Sequence, residues 1–223
     1  MPRKYYDQKL TALKSRMTDM GGMVNERISD TIEALRTLDK EKAAAVVHAD
    51  VAINEQEHQI EQMCMNLIAL QQPIATDLRD IAACLKIITD IERVGDQCAD
   101  ICDIITIGEI PKQSLVLSRV IEMLSAARAM FTRAINCFIS RDEAAARRVC
   151  VDDDAVDGMF SEIVLLVCES ISKNPQNVMR EVDLMFITKY IERMADHATN
   201  IAEWVIYMQT GVHPDLNDGF ENK

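Results

Sequence analysis

Ile91-Glu92-Arg93-Val94-Gly95-Asp96 and Ile191-Glu192-Arg193-Met194-Ala195-Asp196 are two copies of one pattern, each set inside a long stretch of helical periodicity. Residues four apart on a helix share a face and lie about 6 Å from each other. Each copy therefore offers a glutamate and an aspartate to a single partner. The copies stand 100 residues apart in a chain of 223, so they mark equivalent points of two halves.

Upstream of the first copy, Leu10, Leu13, Met17, Met20, Val24, Ile28, Ile32 and Leu35 fall at steps of three and four, which predicts one amphipathic helix over 4–38. Gly21-Gly22 weakens it by roughly 1 kcal/mol per glycine relative to alanine, and marks a bend or a close helix contact. Asp39 is a natural N-cap for a second helix over 40–70. Gln71-Gln72-Pro73 interrupts the pattern, because proline lacks the amide and restrains its predecessor. A third helix over 73–107 stops at Gly108, with Pro111 just beyond.

The second half repeats this grammar over 112–139, 142–172 and 175–210, and closes at Gly211 with Pro214 after it. A step of 103 carries Asp39 onto Asp142, Met20 onto Met123, Ile28 onto Phe131, Asp50 onto Asp153 and Asn54 onto Asp157. At the repeated motif the step has fallen to 100, so the deletions sit around the turns holding Pro73 and Pro175. Loops are where deletions are tolerated. A period this long is not a solenoid. The expected architecture is all-α: two tandem three-helix bundles from an internal duplication, 1–110 and 111–211, with a polar tail over 212–223.

Composition agrees with helices. Seven Gly, five Pro and 4% aromatics are few for an all-β chain with its many turns. A net charge of −12 repels a phosphate backbone over most of the surface, which argues against nucleic acid as a partner. The seven cysteines are scattered through helices without a CxxC pair or zinc spacing, so they read as reduced core thiols, Cys98 and Cys102 included. Met1-Pro2-Arg3-Lys4-Tyr5-Tyr6-Asp7 has no apolar run of a secretory signal, and no later stretch reaches about 18 uncharged apolar residues. The expectation is a cytoplasmic protein that does not insert in a membrane.

On a helical wheel, Cys84, Ile87, Ile88, Ile91, Val94, Cys98, Ala99 and Ile101 form one apolar sector, with Glu92, Asp96 and Asp100 along its margin. The sixth helix matches: Ile187, Ile191, Met194, Ala195, Ala198 and Ile201 face inward, with Glu192, Asp196, Asn200 and Glu203 beside them. Like charges one turn apart cost a few tenths of a kcal/mol. One reading is a solvated face neutralised by Arg93, Arg193, Lys86 and Lys189. The repetition, with Asp50/Asn54 and Asp153/Asp157 on the adjacent helices, favours another: oxygen donors converging on one cation site per half. Such donors suit Mg²⁺, Mn²⁺, Ca²⁺ or iron, and zinc less naturally.

With these residues the sequence resembles the PhoU family, accessory and regulatory proteins of the phosphate-specific transport system. The resemblance is carried by Gln72-Pro73-Ile74-Ala75-Thr76-Asp77-Leu78-Arg79, by Leu85 to Asp96, and by Tyr190 to Glu203, and it spans the chain apart from the tail. It implies two tandem three-helix bundles with metal ions at the Glu-xxx-Asp faces. It also implies contact with the ATP-binding subunit of the phosphate ABC transporter and with a phosphate-responsive sensor histidine kinase, holding starvation genes off when phosphate is plentiful. A homodimer is the expected assembly. Asp100 against Asn200, and Leu78-Arg79 against Met179-Arg180, suggest that the two sites differ in metal and occupancy.

An enzymatic alternative is a di-iron carboxylate oxidase, which uses Glu-x-x-His on facing helices. Glu55-x-x-His58 is present, but no second copy partners it. No GxxxxGK[ST] or GxSxG motif gives ATP hydrolysis or esterase chemistry a seat. His197 is the one histidine within a motif that a phosphotransfer domain would need. A metal-independent adaptor is the remaining alternative, binding partner helices through faces rich in methionine, with Met17, Met20, Met23, Met123 and Met130.

Overall fold

The computed structural model describes residues 3–71, 74–112 and 114–214. Six long helices follow in order: α1 (Arg3–Thr37), α2 (Lys40–Gln71), α3 (Ala75–Ile107), α4 (Leu115–Ser140), α5 (Glu143–Lys173) and α6 (Val178–Thr210). The turn residues Gln72 and Pro73, and 215–223 of the expected tail, lie outside the described residues; Val212–Pro214 are not helical.

Local chemistry sets the turns. Leu38 (φ 53°) and Arg141 (φ 56°) both enter the left-handed region, 103 residues apart, and each is followed by a capping aspartate. Asp39 Oδ1 accepts from the amides of Glu41 and Lys42 at 3.0 and 3.1 Å, and Asp142 Oδ1 from that of Ala145 at 2.9 Å. Such caps are worth about 1 kcal/mol each. Pro175 opens a single 3₁₀ turn, Pro175–Asn177, so α6 begins at Val178 rather than at the proline. Gly211, at φ 77°, closes α6.

α1, α2 and α3 pack on one another, as do α4, α5 and α6; α3 also packs on α6 and α1 on α4, so one hydrophobic cluster runs through both triplets. Leu13, Met17, Met20, Val24, Ile28, Ile32 and Leu35 are buried in it, with Leu10 partly so. Met17, Met20, Met123 and Met130 are core residues and Met23 is half-buried, so these methionines do not form an exposed adaptor stripe. Gly21 marks a close contact: a Cβ there would come within 3.0 Å of Ile135 on α4. Five of the seven free cysteines are buried, and Cys102 Sγ donates to Thr31 Oγ1. Among the described residues, no helix is long and apolar enough to cross a membrane.

The two halves grip each other by matched contacts. Arg79, in the first turns of α3, lays its guanidinium over Gly211 at the end of α6; a Cβ on that glycine would lie 2.9 Å from it. Arg180, near the start of α6, donates to Glu109 Oε2 at 2.9 Å, two residues past the end of α3. A cation beside a helix C-terminus is favourable by about 0.3–1 kcal/mol. Between these ends, Asp90 Oδ1 on α3 meets His197 Nδ1 at 2.9 Å and accepts from Asn200 Nδ2 at 3.2 Å, both on α6. The buried Asp80 is neutralised from both halves, by Lys14 Nζ at 3.5 Å and by the Arg141 guanidinium.

Candidate metal centre

Each acidic face is built where the second helix of a triplet meets the third. In the first half α2 contributes Asp50 and Asn54, and α3 contributes Glu92, Asp96 and Asp100, all half-buried. The helices approach closely because residue 95 is a glycine, whose Cβ would lie 3.1 Å from Ile53 and 3.5 Å from Asp50 Oδ1. In the second half α5 contributes Asp153 and Asp157, and α6 contributes Glu192 and Asp196. Asp153 and Glu192 are half-buried, while Asp157 and Asp196 stand on the exposed rim. Ile91, Val94, Ile191 and Met194 are buried beneath, as the wheel predicted.

The carboxylates influence one another electrostatically. In the first half, burial and then the neighbouring Asp96 push the Asp50, Glu92 and Asp100 carboxyls above their ordinary range. Asn54, donating to Asp50 Oδ2 at 3.0 Å, and Arg27 on α1 oppose this at Asp50. In the second half, burial raises Asp153 most, followed by Asp196, Asp157, Asp154 and Glu192, and pushes it up to about 7. Asp157 and Asp196 are raised by loss of water and then by Glu192.

Neighbouring bases supply part of the neutralisation. Arg93 meets Glu92 Oε2 at 3.5 Å and Asp96 Oδ2 at 3.1 Å, and Lys189 pairs with Glu192. Arg193 faces Asp100 across the seam instead of its own motif, and Lys86 lines a groove with Asp90. Asn200 turns its amide nitrogen to Asp90 on the other triplet. Glu57 and Asp154 join the two faces without having been singled out by the repeat. Their signals were available: Glu57 lies one turn beyond Asn54, and Asp154 follows Asp153 directly. The Glu-x-x-His of α2 is elsewhere, with Glu55 exposed and His58 held at the surface by Glu57 at 3.1 Å.

The donor set fits a hard cation in its chemistry. It is oxygen-only, crowded with like charge, and leaves Asp50 Oδ1, Asn54 Oδ1 and Asp153 Oδ1 buried without a hydrogen-bond partner. The donors are gathered on a face but not closed around a point: among the described residues, no three His, Cys, Asp or Glu side chains stand close enough as placed to hold an ion.

Two matched helical triplets sharing one core, each with an acidic face between its second and third helices, define a duplicated helical-bundle protein. The PhoU domain model matches it twice, over 17–105 and 120–205, and the chain belongs to the PhoU family. It is 34% identical, over 98% of its length and all of the relative's, to the phosphate-specific transport system accessory protein PhoU homologue of Clostridium acetobutylicum. It is similar to the crystal structure of PhoU from Pseudomonas aeruginosa at a TM-score of 0.87 and 29% identity, covering 93% of this chain and 100% of that one. Against the phosphate transport system regulatory protein PhoU from Streptococcus pneumoniae the TM-score is 0.88 at 26% identity, covering 95% and 100%. The family is one of accessory and regulatory proteins of phosphate transport, not of enzymes.

Proposed function

We propose that this protein regulates phosphate uptake and phosphate-starvation signalling as a metal-binding adaptor between the ATP-binding subunit of the phosphate ABC transporter and a sensor histidine kinase. Membership of the PhoU family supports the pathway. One observation carries the metal: both halves gather mutually repelling carboxylates at the same helix–helix junction, with carboxylate oxygens left buried and unpartnered. Glu92, Asp96, Asp100, Asp50 and Asn54 would hold an ion in the first half. Glu192, Asp196, Asp153 and Asp157 would hold one in the second, with Asn200 offering only its carbonyl oxygen, since its amide is committed to Asp90. Iron, manganese, magnesium or zinc would supply positive charge that neutralises the face and clamps α2 to α3 and α5 to α6.

Metal analysis of the purified protein tests the site, and capture of the two partners with and without chelator tests the role. The expected result is bound metal, lost stepwise in Glu92→Ala/Asp96→Ala and Glu192→Ala/Asp196→Ala, and partner capture that weakens on chelation. Equal metal content in all variants sinks the metal site. Capture that survives chelation intact leaves a metal-independent adaptor.

A further inference from the structure

A groove along α1, lined also by the start of α2 and by α4, carries the opposite charge from the acidic faces. It measures about 400 Å³, within the range of small-molecule sites. Arg36 from α1, Lys42 from the first turn of α2 and Arg128 from α4 bring three cations to it from three helices, and Ser29 and Ser125 add hydroxyls. Two acids share the wall, but each already faces an arginine: Glu33 meets Arg36 at 3.2 Å and Asp30 meets Arg27 at 3.7 Å. The lining thus holds three cations against two carboxylates, a local excess of positive charge in a chain of net charge −12. Among the described residues Arg128 commits only its Nε, to Asn25 Oδ1 at 3.1 Å, which leaves its terminal nitrogens to a ligand. Lys42 pairs with no carboxylate among the described residues.

The duplication supplies an internal control. The step of 103 that superposes the two capped turns carries Arg36 onto Ile139 and Lys42 onto Ala145, and brings Arg128 back onto Asn25. The second half builds the same turn with neutral residues in place of Arg36 and Lys42, so packing does not require these two cations; Arg128 is tied through its Nε to Asn25, its own equivalent.

We propose that this groove binds a phosphoryl oxyanion, carried by an oligophosphate or a small phosphorylated molecule. Guanidinium forks and an ammonium converging from three sides match a group with three terminal oxygens and a charge above one; a carboxylate presents only two oxygens. The groove also has room beyond a single phosphoryl group.

The test is calorimetric titration of the full-length, chelator-treated protein with tripolyphosphate, adenosine monophosphate and orthophosphate at about 0.15 M salt, where exposed charges are screened beyond roughly 8 Å. Chelation keeps this result separate from the acidic faces, so a negative metal analysis does not touch it. Saturable 1:1 binding of tripolyphosphate or adenosine monophosphate is expected, and the preferred probe assigns the source of the phosphoryl group. Arg128→Gln and Lys42→Gln should each weaken it about tenfold, and Lys42→Gln, which breaks no contact of the folded chain, should do so with an unchanged ligand-free melting temperature. Arg133→Gln, on the corresponding groove of the second half, should leave it intact. No heat from any probe at millimolar concentration overturns the proposal, as does an equal loss in Arg133→Gln.

Discussion

The two acidic faces are copies in position but not in electrostatics. Each gathers five carboxylates: Asp50, Glu57, Glu92, Asp96 and Asp100 in the first half, and Asp153, Asp154, Asp157, Glu192 and Asp196 in the second. The first is attended by Arg27 from α1 and by Arg93, which spans Glu92 and Asp96. In the second the equivalent of Arg27 is Met130, the equivalent of Asn54 is Asp157, and no cation is among the main influences on Asp153. Lys189 pairs with Glu192 and eases Asp157 and Asp196, but it leaves Asp153 the most strongly raised carboxyl of either face. Duplication preserved the scaffold and let the charge diverge.

If that description is right, scaffold mutations behave alike in the two halves while face mutations do not. Ile91 and Ile191 open the two motifs and are both fully buried. Ile91→Ala and Ile191→Ala should each cost about 2–5 kcal/mol in denaturant unfolding, the usual range for truncating a packed aliphatic side chain. Similar losses support an equivalent core; a near-neutral result for one of them breaks the equivalence at its foundation.

A smaller effect separates the faces by pH. In the metal-free protein the folded state holds a proton on Asp153 up to about pH 7, whereas the usual aspartate value is 3.8. Folded protein thus binds more protons than unfolded across that window, and stability falls as pH rises from about 4 to 7 and is then flat with respect to this group. Asp153→Asn removes the penalty, so in chelator the variant should melt above the wild type at pH 8 and close to it at pH 4. Asp50→Asn should move in the same direction by less, because Asn54 and Arg27 already offset the repulsion. Melting curves in chelator across this range check both, and a larger gain for Asp50→Asn than for Asp153→Asn would reverse the comparison.

The helices and the meeting of acids were legible because both depend on local spacing. Caps at Asp39 and Asp142, the glycine stops and the apolar steps located the elements, and adjacency of consecutive helices placed Asp50 opposite the first motif and Asp153 opposite the second. The imbalance between the faces was not legible in the contrast between Asp100 and Asn200. Asn200 turns to Asp90 because α6 packs on α3 across the seam, and Arg193 reaches Asp100 for the same reason. No single helix states what will lie across from it. Arg27 was invisible for a related cause: it sits on a third helix, where an arginine among polar positions carries no mark of the carboxylate it will face.

Arg27 is where the asymmetry can be altered with one residue. Arg27→Met installs what the second half has at Met130 and removes the cation that α1 turns toward Asp50. Asp50 then keeps Asn54 alone against burial and Asp96, and its carboxyl should rise further. Below the ordinary aspartate value of 3.8, and so below the raised Asp50 carboxyl in either protein, the substitution should change the metal-free melting temperature little. At pH 7 it should destabilise by about 1 kcal/mol or less, the scale of a partly exposed ion pair. Asp30→Ala is the control, since Arg27 also meets Asp30 at 3.7 Å and a loss through that pair would appear in both variants. The reverse exchange does not offer a symmetrical test. Met130 is only 1% exposed, and Met130→Arg would bury a guanidinium within the core before it could reach Asp153. The first half can thus be made to resemble the second, but not the second the first, which places the neutralising arginine on the side of the molecule where α1 leaves it partly open to water.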